Sequence, residues 1–306
     1  MEYDLIIVGA GPAGLSAALN AAYFKLRSVI IESGSAGGAI MMNYPWKVVD
    51  NCLGFKNMTG MRVTQKMVEH VKAEGLEIKE NETVTDIRRE GNIIKVITTL
   101  GEYSAKSVIL AIGLGVPRRL GICNENIEGA ICTLSDPTKY KGKKATVVGG
   151  GDTAVESAIA LQKNGAHTTI VHRRDAFRAS EKNVSDLKSS GVKIIFNSEV
   201  KEIIGKDRVG KVKLINNQTN EESVVDTDVI LFSLGTIPNT EFLKKIGINI
   251  NEKNQIIVDG NQRTNIEGIF AAGDVVGKWL RIPEAVGEGA FAALNAYKYI
   301  KNPYWA

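Results

Sequence analysis

The sequence predicts an α/β protein built from two parallel-sheet domains, one inserted into the other. Three observations carry this. The apolar run Leu5-Ile6-Ile7-Val8 leads into a glycine turn, Gly9-Ala10-Gly11-Pro12-Ala13-Gly14. A second run, Ala145-Thr146-Val147-Val148, leads 140 residues later into Gly149-Gly150-Gly151-Asp152-Thr153-Ala154. The chain then closes on a short apolar stretch ending in an acid, Ile269-Phe270-Ala271-Ala272-Gly273-Asp274, which suits a resumed first domain.

The elements follow from the switch between apolar runs and helical patterns that marks β-α-β units. Tyr3–Val8 reads as a buried parallel strand, Gly14–Phe24 as an alanine-rich helix and Ser28–Glu32 as the next strand. Ile93–Thr98 and Gly101–Tyr103 read as an antiparallel hairpin, followed by a separate strand at Ser107–Ala111. From Ala145 the grammar repeats: strand, glycine turn, helix to about Asn164, strand Thr168–His172. Gly289–Ile300 reads as a final helix. The proline-bearing stretches Val116-Pro117 and Ile237-Pro238 suit linkers at the two crossings. The expected domains are therefore 1–115 plus 240–306, and 116–239 inserted between them.

Composition narrows the function classes. At 306 residues the chain accommodates two domains of ordinary size. With 44% apolar and 24% charged residues it has the profile of a soluble globular protein, and no apolar run approaches the roughly 20 residues of a membrane span. The N-terminus enters a strand at once, so no signal peptide is expected. Cys52, Cys123 and Cys132 form no C-x-x-C pair, which argues against a disulfide framework and for a reducing cytoplasm. A net charge of +4 is too mild to argue for nucleic acid; it suits a solvated surface and is compatible with an acidic protein partner. His70, His167 and His172 lie in no metal-ligating pattern, so no metal is expected, and His70 reads as a surface helix residue.

The turns carry the chemistry. Gly9 permits a tight bend, Gly11 lets backbone approach a pyrophosphate, and Gly14 lets the helix pack on its strand, which makes these Rossmann-like nucleotide-binding domains. Backbone N–H groups and the dipole of the helix opened by Pro12 and Ala13 then hold phosphate. Glu32, 18 residues after Gly14, stands where an acid binds a ribose hydroxyl. Ser33 adjoins it, Gly37-Gly38 allows a loop to pass close to the nucleotide, and Gly113 and Gly273-Asp274 end strands where ligands sit in such folds. These residues point to FAD. In the second domain His172-Arg173-Arg174, with Arg178, replaces the acid by a basic cluster fit for a 2′-phosphate. Gly149, Gly150, Gly151, Asp152, Thr153 and Ala154 with that cluster point to NADPH. Bland alternatives stay open for each: a surface acid at Glu32, a helix cap at Asp274, a charged helix start at His172-Arg173-Arg174.

With these residues assembled, the chain resembles the low-molecular-weight thioredoxin reductases over nearly its whole length. The matching pieces are both glycine turns, Val155-Glu156, His172-Arg173-Arg174-Asp175-Ala176-Phe177-Arg178 and Gly273-Asp274. The resemblance implies two Rossmann-like domains in a homodimer holding FAD and NADPH. One departure bears on function: where that family carries a redox C-x-x-C, this chain reads Cys132-Thr133-Leu134-Ser135. A dithiol relay needs one sulfur to attack and a second to resolve, and Ser135 supplies none. The chain is similar instead to the thioredoxin-reductase-like ferredoxin–NADP reductases, which lack the dithiol. Asn43-Tyr44-Pro45-Trp46-Lys47 matches that branch's tyrosine-proline loop, Asp50-Asn51-Cys52-Leu53-Gly54-Phe55 the segment after it, and Val286-Gly287-Glu288-Gly289 a turn before the last helix. The resemblance implies that Tyr44 stacks on the flavin. That branch typically has a longer C-terminal extension over the other flavin face, whereas this sequence stops at Pro303-Tyr304-Trp305-Ala306, so what covers that face stays open, an exposed face among the alternatives.

The leading expectation is a ferredoxin–NADP oxidoreductase, with ferredoxin or a similar protein as electron partner and no role for nucleic acid or membrane. Three alternatives stay open: an NAD(P)H oxidase or flavin/quinone reductase, a disulfide reductase working through Cys132, and a flavin-bearing redox sensor that is not an enzyme. The acceptor and the direction of electron flow are open at this level.

Overall fold

The structure, a computed structural model, describes residues 2–237, 239–277 and 279–302. The expected linker residue Pro238 and the terminal Pro303-Tyr304-Trp305-Ala306 lie outside the described residues. The chain divides into two compact units, residues 1–115 with 238–306, and residues 116–237.

In the first unit the strand Glu2–Val8 is central and buried throughout Leu5–Val8. It pairs in parallel with Ser28–Ile31 on one side and with Glu102–Leu110 on the other. Glu77–Lys79 extends the sheet beyond Ser28–Ile31. The strand Glu102–Leu110 divides its outer edge between two partners. Its first half pairs antiparallel with Ile93–Thr98, and its second half pairs in parallel with Ile269–Ala271. This corrects the expectation of two separate strands at 101–103 and 107–111. Glu102-Tyr103-Ser104-Ala105-Lys106-Ser107 contains no Gly, Pro or Asn to break the run, so one strand of nine residues serves both neighbours. The expected hairpin is present, with Val96 opposite Tyr103 and Ile97 opposite Glu102, and Val84–Glu90 pairs antiparallel with the other edge of Ile93–Thr98.

The helix Pro12–Tyr23 starts with proline in its first turn, where a fixed φ suits the helix and no N–H is missed. It buries Ala13, Ala17, Ala18 and Ala21, small residues that let a second helix come close. That partner is Ile282–Lys301. A Cβ on Gly289 would stand 2.1 Å from the Ala13 carbonyl oxygen, and the Ser16 hydroxyl donates to the Val286 carbonyl at 2.7 Å. The stretch Val286–Gly289 is therefore helix interior, not the turn expected before a helix starting at Gly289. An interior glycine costs roughly 1 kcal/mol of helix propensity; here it removes a clash between two helix backbones. A third helix, Gly60–Ala73, is capped by the Thr59 hydroxyl, which accepts from Arg62 N. It buries Val63 and Val71 and leaves His70 exposed.

The second unit is a five-stranded parallel sheet in the order Ala130–Ile131, Val229–Phe232, Lys144–Val148, His167–Val171, Lys193–Ile195. The helix Asp152–Lys163 follows the glycine turn and buries Ala154, Val155, Ala158 and Leu161. Three antiparallel strands absent from the sequence reading, Ser198–Ile204, Lys211–Asn216 and Glu222–Asp226, add a small second sheet. Val200, Ile203, Val212 and Leu214 pack it against Val171, Ile230 and Phe232. Val116–Pro117, expected as a linker, pairs antiparallel with Thr236–Ile237, which includes Ile237 of the other expected linker. Among the described residues no helix is long and apolar enough to cross a membrane.

Candidate nucleotide-binding sites

The first turn is dense on its sheet side and open at one point. Gly9 takes φ +104°, and a Cβ there would meet the Ala111 carbonyl oxygen at 2.4 Å. A Cβ on Gly14 would lie 1.8 Å from the Gly9 oxygen. Both glycines are demanded by the fold. Gly11 is not: the nearest atom to its Cβ position is Gly38 Cα at 3.8 Å. Gly11 is also the N-cap of Pro12–Tyr23, and no side chain caps that helix. The space a Cβ would fill, beside an uncapped helix N-terminus, is a cradle of the kind that holds a pyrophosphate. Gly38 approaches from the other side, at φ +63°, with a Cβ position 2.8 Å from Gly11 Cα.

Glu32 and Gly37 fasten this turn. The Ala10 N–H donates to Glu32 Oε2 at 2.7 Å, and the Ala10 carbonyl accepts from Gly37 N at 2.9 Å. The second oxygen of Glu32 accepts from Gly34 N at 2.8 Å and from the Ser33 hydroxyl at 3.3 Å. Tyr44 is half-buried and C-caps the short helix Gly38–Asn43, which begins against the glycine turn. Gly113, at φ +64°, follows the strand Glu102–Leu110, and Asp274 follows Ile269–Ala271. Gly9, Glu32, Gly113 and Asp274 thus all lie past the carboxyl ends of parallel strands, where open α/β sheets bind ligands.

Asp274 sits in an acidic setting. Burial pushes its carboxyl above the usual carboxylate range, Glu284 and Glu288 add to the effect, and Arg281 opposes it. Glu288 also accepts from Gly273 N at 2.8 Å, and a Cβ on Gly273 would be 2.8 Å from Ala13 Cβ. The sequence reading missed this role for Glu288 because it took the surrounding residues for a turn.

The second turn has the same build with one addition. Gly149 is required, since a Cβ there would meet the Ser233 carbonyl oxygen at 2.4 Å, and Gly151 has nothing within 4 Å of its Cβ position. Gly151 is the N-cap of Asp152–Lys163, again without a side-chain cap, so the cradle recurs. Ala154 is fully buried. Arg173, Arg174 and Arg178 are exposed, and Arg178 N donates to the Gly150 carbonyl at 2.7 Å. Two of the expected ligands also make contacts within the protein. The Asp152 carboxylate accepts from Ser180 N at 2.9 Å and from Asn183 Nδ2 at 2.7 Å, holding the start of the helix Glu181–Ser189. The His172 ring is buried at 6% exposure. Burial first, then Arg174, Arg178 and Arg173, push its pKa below the ordinary histidine value. It stays neutral and adds no charge to the exposed cluster.

Cys132 follows the strand Ala130–Ile131, half-buried and without a disulfide. It lines an open hollow of about 630 Å³ with Pro117, Arg119, Leu120, Gly121 and Ile237. Burial pushes its thiol pKa up, Glu125 adds to this, and Arg119 opposes it.

Two dinucleotide folds, one interrupting the other and each with a phosphate cradle at a helix N-terminus, define a two-nucleotide oxidoreductase. The chain belongs to the pyridine nucleotide-disulphide oxidoreductase family, whose model matches residues 3–289. Membership implies FAD and a nicotinamide nucleotide. A ferredoxin–NADP reductase of Ignicoccus hospitalis is 40% identical over 99% of both chains. A 34.2 kDa protein in the rubredoxin operon of Clostridium pasteurianum is 38% identical over 98% of this chain and 97% of its own. The crystal structure of T. acidophilum thioredoxin reductase superposes with a TM-score of 0.87 at 32% identity, over 97% of this chain and 98% of that one.

Proposed function

We propose that this chain passes electrons between NADPH and an iron–sulfur protein by way of FAD, as a ferredoxin–NADP reductase without a dithiol. FAD belongs to the first unit, through the Gly9–Gly14 turn, Glu32, Ser33, Gly37, Gly38, Tyr44, Gly113, Gly273 and Asp274. NADPH belongs to the second, through the Gly149–Ala154 turn and Arg173, Arg174 and Arg178. One observation carries the reading. Cys132 stands where a relay thiol would begin, but Ser135 takes the resolving position, and Cys52, Cys123 and Cys132 are all unpaired. The raised Cys132 pKa further lowers the thiolate fraction that disulfide exchange needs. The relatives named for ferredoxin and for a rubredoxin operon support an iron–sulfur partner.

When bound, FAD supplies the exchange between a hydride and single electrons. The chain's own contribution is placement. The cradle at Gly11 and the helix beginning at Pro12 would take the pyrophosphate, and Glu32, which fixes the turn, would bind the ribose. The arginines at 173, 174 and 178 receive the 2′-phosphate, whose planar pairing with guanidinium suits their charge. Tyr44, at the C-cap of Gly38–Asn43, would stack on the flavin ring.

The deciding experiment follows NADPH oxidation with ferredoxin, rubredoxin, thioredoxin, a quinone and oxygen offered in parallel. Fastest turnover with ferredoxin or rubredoxin is expected. Thioredoxin reduced at a comparable rate would overturn the reading, and a quinone or oxygen that outpaces both iron proteins would move it to an NAD(P)H oxidase or quinone reductase.

A further inference from the structure

We propose that His172 is a positioning residue that joins the second glycine turn to the arginine loop 173–178, and so sets the preference for a 2′-phosphorylated nicotinamide nucleotide. The inference rests on the reading of this unit as the NADPH site.

The backbone of His172 is clamped at the sheet edge. Its N–H donates to the Ile195 carbonyl at 2.9 Å, and its carbonyl accepts from Ser198 N at 3.1 Å. The ring then turns under the glycine turn. A Cβ on Gly150 would fall 2.2, 2.4 and 2.5 Å from the ring atoms Cε1, Nδ1 and Nε2. Gly150 occupies a variable position of the glycine fingerprint, so the nucleotide does not require glycine there; the histidine ring does. The other side of the ring faces the loop. It stacks on Phe177 at 5.5 Å and 22°, and it is hydrogen-bonded to the Ala176 backbone. Phe177 in turn meets Phe196 at 4.9 Å. Arg178 N closes the circuit on the Gly150 carbonyl at 2.7 Å. One buried ring thus touches the turn, the middle of the loop and, through Gly150, the loop's end.

The ring's Nε2 is buried and has no hydrogen-bond partner in the protein. Buried polar atoms of this kind are nearly always satisfied, by protein, water or ligand. Burial first, and then the facing positive charges Arg174, Arg178 and Arg173, lower the pKa of the imidazole, while its bond to the Ala176 backbone opposes them. His172 therefore acts by shape and hydrogen bonding rather than as a cation for phosphate. Removing the ring leaves every arginine in place but frees the loop that carries them. The entropy of reordering that loop then falls on a nucleotide that needs the arginines and spares one that does not.

The test measures KM for NADPH and for NADH in wild type, His172→Ala, Gly150→Ala, the Gly150→Ala/His172→Ala double variant and Arg173→Ala/Arg174→Ala, with flavin content as the folding control. His172→Ala is expected to raise KM for NADPH about tenfold, the effect of a few loosened side chains, and to change KM for NADH much less. Gly150→Ala alone should weaken both nucleotides, and the double variant should recover NADH, because the added methyl then has room. Should His172→Ala lose flavin, His172→Phe replaces it: the ring and stack remain, the Ala176 bond goes, and the preference should fall partway. A preference erased by the arginine changes but intact in the histidine variants would overturn this inference alone, as would equal KM increases for both nucleotides. No preference in the wild type would instead defeat the NADPH reading on which it rests.

Discussion

The Glu32 carboxylate reaches back across the first glycine turn and accepts the Ala10 amide at 2.7 Å, while its other oxygen holds Gly34 N at 2.8 Å. One side chain thereby ties the end of the strand Ser28–Ile31 to the turn that follows Glu2–Val8. Charge-assisted bonds of this type contribute about 1.5–3 kcal/mol. Glu32→Ala should lower the thermal midpoint of the protein and leave it largely free of flavin. Glu32→Gln keeps one acceptor oxygen and should bind flavin more weakly than wild type but retain most of the stability. The visible flavin band per protein and a thermal melt measure both.

Gly11 and Gly14 predict opposite outcomes from similar substitutions. Space is open beyond the Gly11 Cβ position, with 3.8 Å to the nearest atom. Gly11→Val should therefore give a folded but colourless protein. Gly14→Ala sets a methyl 1.8 Å from the Gly9 oxygen, and overpacking of this kind costs about 1–3 kcal/mol or more. It should lose stability as well as flavin. Circular dichroism melts on flavin-free samples of both variants separate the cases; a Gly11→Val protein that is yellow counts against the cradle.

Asp274 holds a stability trade that pH should expose. Its folded pKa is raised, by burial first and then by Glu284 and Glu288. A carboxyl of this kind favours folding while it is protonated and loses that contribution as pH rises through the folded value, so at neutral pH the charged form is a burden. Asp274→Asn should raise the melting temperature of flavin-free protein at pH 7, and the gain should shrink as pH falls toward the carboxylate range. The same substitution should weaken flavin binding. Melts across pH 4 to 8 check the sign.

The turn glycines were the most legible part of the sequence, because several of them answer a backbone requirement that no other residue meets. Gly9, Gly14 and Gly149 sit against carbonyl oxygens, and their spacing alone announced the turns. The same residue type misled at Gly287 and Gly289. Both lie inside a helix rather than a turn; Gly289 serves the close contact of two helices, whereas a Cβ on Gly287 would meet nothing, and nothing local to Val286–Gly289 marks the Ala13 backbone as a neighbour. The burial of the His172 ring was hidden for a related reason. A strand-end histidine beside two arginines reads as part of a cation cluster, and only tertiary structure turns its ring inward. The extra glycine at 150 was the available sign. The three-stranded sheet from Ser198 to Asp226 escaped notice because its strands interleave Lys and Glu with their apolar residues, and Val200 and Ile203 find their core only in three dimensions.

The exposed Arg173 and Arg174 should decide nucleotide choice. The side chains are free of carboxylate salt bridges among the described residues. Replacing both with alanine removes contacts to a 2′-phosphate each worth about 1.5–3 kcal/mol. KM for NADPH should therefore rise by about two orders of magnitude or more, with KM for NADH nearly unchanged. Raising the salt concentration should erode the wild-type preference in the same direction, since exposed charges are screened. Equal efficiency of the wild type with both nucleotides would contradict the assignment.

Cys132 should be dispensable for electron transfer and slow as a nucleophile. Its thiol pKa is raised, mainly by burial with Glu125 adding, so little thiolate exists at pH 7 and more appears as pH rises through the thiol range. Alkylation at Cys132, followed residue by residue with mass spectrometry, should be slow at pH 7 and accelerate above pH 9. Cys132→Ser should keep most of the NADPH-dependent reduction of ferredoxin and of artificial one-electron acceptors. Neither protein should reduce thioredoxin appreciably, because Ser135 cannot resolve a mixed disulfide. Robust disulfide reduction by the wild type that disappears in Cys132→Ser would replace the ferredoxin reading with a single-thiol mechanism.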